Sequence, residues 1–254
     1  MIVELAEIKE LLEVKHDLYN RSSFIASDPV SIPHRFSRKE DIEISGFLTA
    51  AISWGQRKTI LSSADKLLHL MEYSPMDFLI HFEDQDLNAF KKFVHRTFNG
   101  EDCIFFLSSL KNIYTHHGGL EKAFSGHGPD VKDAITGFRK IFFSIPHPSR
   151  TVKHLADPSA GASAKRINMF LRWMVRKDMR GVDFGIWNAF NPSQLYCPLD
   201  VHTGNVARKL GLIKRKQNDW KALEELMVVL REFDPQDPVK YDFALFGLGM
   251  FEDF

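Results

Sequence analysis

Cysteine is nearly absent: Cys103 and Cys197 are the only two in 254 residues. Neither sits in a C-x-x-C pair. A cysteine-ligated zinc site or iron–sulfur cluster needs three or four spaced thiolates, so both are excluded. There is also no H-E-x-x-H pair, no phosphate-binding Walker loop, no G-x-S-x-G elbow and no G-x-G-x-x-G turn. His116 and His117 are neighbours, and on a helix adjacent side chains point about 100° apart, which makes a poor two-ligand clamp. No metal and no cofactor is expected. Long apolar runs are missing too. The N-terminus, MIVELAEIKELLEVKHDLYN, is charged throughout and has no apolar signal core. The expected location is the cytoplasm, with no membrane partner. Net charge is zero, which argues against a protein that coats nucleic acid without specificity.

The composition is that of a globular protein large enough to bury a core: 44% hydrophobic and 26% charged, with 22 phenylalanines for packing. The charge is unevenly spread. Arg150, Lys153, Lys165, Arg166, Arg172, Arg176, Lys177 and Arg180 face only Asp157 and Asp178 in the same stretch, and Arg208, Lys209, Lys214, Arg215 and Lys216 follow with no acid among them. Acids predominate after residue 218. A basic middle of this kind suits a phosphate backbone on one face, although charge runs are more commonly solvated helix faces.

The periodicity is helical almost everywhere. Val3, Leu5, Ile8, Leu11, Leu12 and Leu18 make one stripe over 3–18. Ser37-Arg-Lys-Glu40 has the form of a capping box that opens a core helix through Ile42, Ile44, Phe47, Leu48 and Ile52. Further helices are predicted at about 57–72, 76–82, 86–96, 101–116, 129–144, 163–177, 201–210, 219–233 and 238–249. Gly211 reads as a helix stop, and Asp237-Pro238 as a cap followed by proline at the first helical position. No alternating strand ladder and no hairpin signal is found. The expected fold is all-α: one two-lobed unit over 1–254, with lobes at about 20–145 and 146–254, the second joined by the N-terminal helix. Loops are expected at 20–36, 125–130, 145–162 and 191–199.

Two segments carry the candidate chemistry, DPSAGASAKRINMFLRWMVR (157–176) and YCPLDVHTGNVARKLGL (196–212). Lys165 and Arg166 fall in the first turn of the predicted helix. The helix dipole and the neighbouring cation disfavour an ammonium there, and burial adds to this, all in the direction that frees an amine as nucleophile. Asp200 stands where the next helix begins; capping through backbone amides keeps it ionised. Taken singly, Lys165 reads as a surface lysine and Asp200 as a cap.

Their order resembles the helix-hairpin-helix DNA glycosylase superfamily, in particular its divergent 8-oxoguanine glycosylase/lyase branch. In the bifunctional members a lysine follows the hairpin, and an aspartate stands in a hydrophobic-Asp-x-His segment leading to an arginine-containing helix. Lys165 matches the lysine; Asp200, His202 and Arg208 match the second segment. Gly46-Phe-Leu-Thr-Ala-Ala-Ile-Ser-Trp-Gly-Gln56 resembles the first core helix and its glutamine-bearing loop. Gly161 is the one glycine kept in the turn. The whole chain also resembles a family of uncharacterised bacterial proteins.

The glycosylase resemblance implies base excision on double-stranded DNA carrying a damaged base, an oxidised purine by its branch, with AP lyase activity. Lys165 and Asp200 would be catalytic. Gln56, Arg57, Lys58, Gly161, Arg166, His202 and Arg208 would contact nucleic acid, and Trp54, Trp173 and Trp187 would line the base pocket. A monomer is expected. Two other readings remain beside it: a helical nucleic-acid-binding module without chemistry, and a protein-interaction domain in which Lys165 and Asp200 are only surface residue and cap. Distance between the two side chains separates the last from the others.

Overall fold

A computed structural model describes residues 4–252 and 254. Among the described residues the fold is all-α. Its helices, in chain order, are α1 (Leu5–Tyr19), α2 (Ser22–Ile25), α3 (Lys39–Ala51), α4 (Arg57–Leu70), α5 (Pro75–His81), α6 (Gly100–His116), α7 (Leu120–Ser125), α8 (Val131–Phe142), α9 (Lys165–Val175), α10 (Val201–Lys209), α11 (Trp220–Phe233) and α12 (Tyr241–Phe251). Val3, at the head of the predicted first stripe, lies outside the described residues. The chain divides into two compact units, Ile25–Ala156 and Met1–Phe24 with Asp157–Phe254. The division falls at 156/157 where 145/146 was expected, and residues 20–24 stay with the N-terminal helix.

The 25–156 unit is built on aromatic packing. Phe47 of α3 meets Phe138 and Phe142 of α8 at 5.5 Å between ring centroids, and Phe106 of α6 packs edge-on against Phe142 at 4.8 Å. All four rings are fully buried, each removing apolar surface worth about 2–3 kcal/mol. Asp102 joins this core to the end of the unit. It completes a capping box with Asn99 and accepts from the Thr151 hydroxyl at 2.7 Å and from Arg150 at 2.6 Å.

Two local expectations change here. The helix predicted over 86–96 is a 3₁₀ stretch, Asp86–Lys92, followed by a small antiparallel hairpin, β1 (Val94–His95) with β2 (Phe98–Asn99). The cause lies downstream. Asn99 is committed to capping α6, and a Cβ at Gly100 would strike the Lys91 backbone, so the chain must reverse before it; Arg96 takes the turn in the left-handed region at φ 54°. The box at Ser37–Glu40 does not form either. Arg38 occupies the cap of α3 without a side-chain cap bond, and its guanidinium engages Glu40 and Asp77.

In the other unit, α12 is buried over most of its length, with Met250 and Phe251 exposed at its end, and packs against both α1 and α10. Gly211 ends α10 as expected, at φ +71°: its N–H bonds the Arg208 carbonyl, and the Leu212 N–H bonds that of Ala207. Asp237 precedes a short 3₁₀ turn, Pro238–Lys240, rather than capping a helix directly; Arg176 takes its carboxylate at 2.9 Å.

Candidate functional site

The start of α9 is shaped by a tied-down turn. Gly161 is left-handed at φ +90°, and its carbonyl accepts from the Trp220 N–H at 2.8 Å, linking the turn to the start of α11. Within the turn the Ser159 amide bonds the Asp157 carboxylate, and those of Ala160, Gly161 and Ala162 bond the carbonyls of Asp157 and Pro158. Ala164 also adopts a positive φ of 48°, and Lys165 is the first residue of the helix. Asn168 holds this entry by donating to the Ser163 carbonyl at 2.9 Å.

Asp200 caps α10, as its sequence position predicts. One carboxylate oxygen accepts from the Thr203 amide at 3.0 Å; the other lies 3.7 Å from Lys165 Nζ. Both side chains are partly open, at 26% and 23% exposure, so the pair is reachable from solvent yet held by two helix starts. The Met169 thioether lies 3.8 Å from the same amine. Asn218 steadies the cap by donating to the Asp200 carbonyl at 2.8 Å.

A second charge layer lies deeper. Arg172 of α9 pairs with Asp242 near the start of α12 and donates to Asp183 at 3.2 Å. Asp183 accepts from Arg176 at 3.1 Å, and Arg176 also holds Asp178 and Asp237. Both guanidiniums stand over the Phe243 ring, at 4.2 and 5.5 Å. The stretch after α9 thus carries Asp178 and Asp183 to two buried arginines. Asp242 is buried, with the Cys197 thiol 3.7 Å from its second oxygen. Burial pushes its carboxyl up to about 6; Arg172 and Lys165 oppose this, while Asp200 and Asp183 add to it. Burial also pushes both cysteine thiols well up, which makes them poor thiolates.

The other expected site residues fall in both units. Arg166 is half-buried, and burial lowers its guanidinium to about 10. His202 is exposed on the first turn of α10. Arg208 points inward, donating to the Arg215 carbonyl at 2.8 Å and to Asn218. Trp173 and Trp187, expected to line the base pocket, are buried; Trp187 packs edge-on to Phe170 at 5.4 Å.

Gln56, Arg57, Lys58 and Trp54 belong to the 25–156 unit. Gln56 and Lys58 are exposed where α4 begins, and Arg57 reaches Ser27 at 3.5 Å. Trp54 is half-buried between His95, edge-on at 4.9 Å, and His154, stacked at 5.9 Å. Asp242, Asp183 and Arg172 were not singled out from the sequence. The signal was present as polar residues inside apolar helices, Arg172 in NMFLRWMV and Asp242 in YDFALF; buried charges in such runs need partners.

Fold and site together define an all-α protein with an accessible lysine–aspartate pair at two helix N-termini. The chain matches, over residues 28–251, the family described as "Protein of unknown function (DUF2400)", and it belongs to that family. No curated protein and no solved structure matches it. Among the described residues, no group of His, Cys, Asp and Glu could hold a metal ion, and no helix is long and apolar enough to cross a membrane.

Proposed function

We propose that the chain is a DNA base-excision glycosylase with associated lyase activity, with Lys165 as nucleophile and Asp200 as its electrostatic partner. The observation that carries this reading is the 3.7 Å approach of the Lys165 amine to the Asp200 carboxylate, with both groups partly open to solvent. A glycosidic bond to a damaged base breaks through an oxocarbenium-like state, and a fixed carboxylate beside the sugar stabilises the charge at C1′. The neutral amine attacks C1′ as the base leaves with the bonding electron pair and is protonated. Opening of the sugar ring then gives a Schiff base, which permits strand cleavage by β-elimination. The substrate is double-stranded DNA whose damaged base, an oxidised purine in this reading, leaves the stack at a cost of a few kcal/mol.

At the start of α4, Lys58 is the exposed cation offered to the backbone, with Gln56 exposed and Arg57 half-buried beside it; Arg166, next to Lys165, is half-buried. The amides of the 159–162 turn are already bonded, so phosphate contact at Gly161 would fall to the following residues at the start of α9.

The test is borohydride trapping on duplexes carrying 8-oxoguanine or an abasic site. Wild type is expected to give a covalent adduct, Lys165→Gln none, and Asp200→Asn a rate lower by about 100-fold or more. No adduct on any lesion overturns the lyase assignment. An adduct that survives Lys165→Gln overturns the choice of nucleophile.

A further inference from the structure

In the 25–156 unit, Ser45, Ser53 and Thr136 each donate to the carbonyl four residues earlier, at 2.6, 2.7 and 2.8 Å. This is the ordinary fate of a hydroxyl on a helix. Ser63, in the middle of α4, turns its hydroxyl instead to Nδ1 of His95, 2.9 Å away and 32 residues on in the chain. We propose that Ser63 is a nucleophile activated by His95, forming a second reactive site that takes the acyl group of an activated carboxylic ester. The site is independent of the reading of Lys165 and Asp200.

A third group fixes the roles of the two nitrogens. His95 Nε2 lies 3.2 Å from the Trp54 carbonyl. A carbonyl only accepts, so Nε2 carries the proton, and Nδ1 of the neutral ring keeps the lone pair that accepts from the Ser63 hydroxyl. A nucleophile, a base within hydrogen-bond reach and a group that orients the base are the arrangement that activates a serine. The imidazole is buried and held edge-on to the Trp54 ring at 4.9 Å, whereas Ser63 is half-buried and so reachable by a small molecule. The backbone bends sharply on both sides of this contact. Gly55, directly after the orienting carbonyl, stands at φ +99°, and Arg96, directly after the base, at φ 54°. A Cβ at Gly55 would come within 2.8 Å of the Arg96 guanidinium, so the two bends pack on each other. An arginine in the left-handed region is strained, and such strain gathers where side chains are held for function.

In the reaction, Ser63 Oγ attacks the ester carbonyl as its proton passes to His95 Nδ1. The bond to the leaving alcohol breaks, and the alcohol departs with the electron pair and that proton. Water, deprotonated by the same nitrogen, then cleaves the acyl-serine, and the proton returns to Oγ. A neutral carbonyl steadies the imidazolium less than a carboxylate does, and water solvates the tetrahedral oxygen at a half-open serine. Both features restrict the site to esters with good leaving groups.

The test treats the whole chain with an alkyl fluorophosphonate, which bonds phosphorus to Oγ as fluoride leaves, and locates the label by mass spectrometry. Wild type is expected to be labelled at Ser63, at least about 100-fold faster than at its exposed helix neighbour Ser62. Ser63→Ala should take no label at that position, and His95→Gln should react about 100-fold more slowly than wild type. p-Nitrophenyl acetate should release a burst of about one nitrophenolate per chain, lost in Ser63→Ala. Circular dichroism checks that His95→Gln is folded, and the comparison of Ser63 with Ser62 needs no variant at all. Labelling of both serines at similar rates, no label at Ser63, an unchanged rate in folded His95→Gln, or the lack of a burst each overturns the assignment.

Discussion

Asp102 and Asp242 are both buried, one in each unit, and they are pushed in opposite directions. For each, burial is the largest influence and raises the carboxyl. At Asp102 burial is outweighed: the Asn99 amide, the Thr151 hydroxyl, His154 and Arg150 all favour the anion, and the group ends below the ordinary carboxylate range. At Asp242 the immediate donors are one arginine and a weak thiol, two further carboxylates add repulsion, and the group rises to about 6. The contrast lies in hydrogen-bond supply more than in depth. A carboxylate ringed by good donors serves as a structural rivet, whereas one left short of donors keeps a proton within reach of neutral pH, which is what proton chemistry requires.

The largest effect should come from breaking the rivet. Asp102→Ala leaves a guanidinium, a hydroxyl and the helix cap without their acceptor and is expected to cost about 3–5 kcal/mol, read by urea unfolding. Loss below about 1 kcal/mol would contradict the account of Asp102. Arg176→Met should come next, at about 3 kcal/mol, because it takes the guanidinium from Asp237 and one donor each from Asp183 and Asp178; a melting temperature equal to wild type would show that these ion pairs carry no weight.

The pH dependence of the unit holding α9 sharpens the comparison. His16 is lowered to about 4, chiefly by burial and then by Arg176. Its unfolded value is about 6.5, so the unfolded chain binds more protons between these values, and stability is lost as pH falls from about 6.5 to about 4. Asp242 works in the reverse sense. Its folded value, about 6, exceeds an unfolded value of about 3.9, so its contribution is present at low pH and is lost as pH rises through about 6. Thermal melts from pH 7 to pH 4 should show His16→Gln losing less stability on acidification than wild type. An unchanged slope would remove His16 from the account. The smallest effect belongs to Thr151→Val, about 1 kcal/mol for one hydroxyl donor; a loss above about 3 kcal/mol would mean that Thr151 does more than hold Asp102.

Much of the fold was legible because helical periodicity and end signals are local. The 3.6-residue stripes located nearly all the long helices, Gly211 marked a real stop, and Asp200 a real cap. Where local rules failed, a distant or competing partner had intervened. Arg38 took Glu40 from its box, Arg176 took Asp237 from its cap, and the Asn99 cap with the Gly100–Lys91 approach turned a predicted helix into a hairpin. Of the candidate site, Lys165 and Asp200 were visible as residue types at helix starts. The layer behind them was not, since Arg172 meets Asp183 and Asp242 across 11 and 70 residues of chain.

The sequence by itself determined an all-α chain, the positions of its helix starts, and the presence of a lysine and an aspartate at two of them, because each depends on residues within a turn or two. Only the tertiary structure decided that the amine and the carboxylate lie 3.7 Å apart, that Trp173 and Trp187 are core, and that a buried aspartate stands behind the pair. Those facts depend on which helix faces are brought together, and on how many donors each buried charge finds once water is gone.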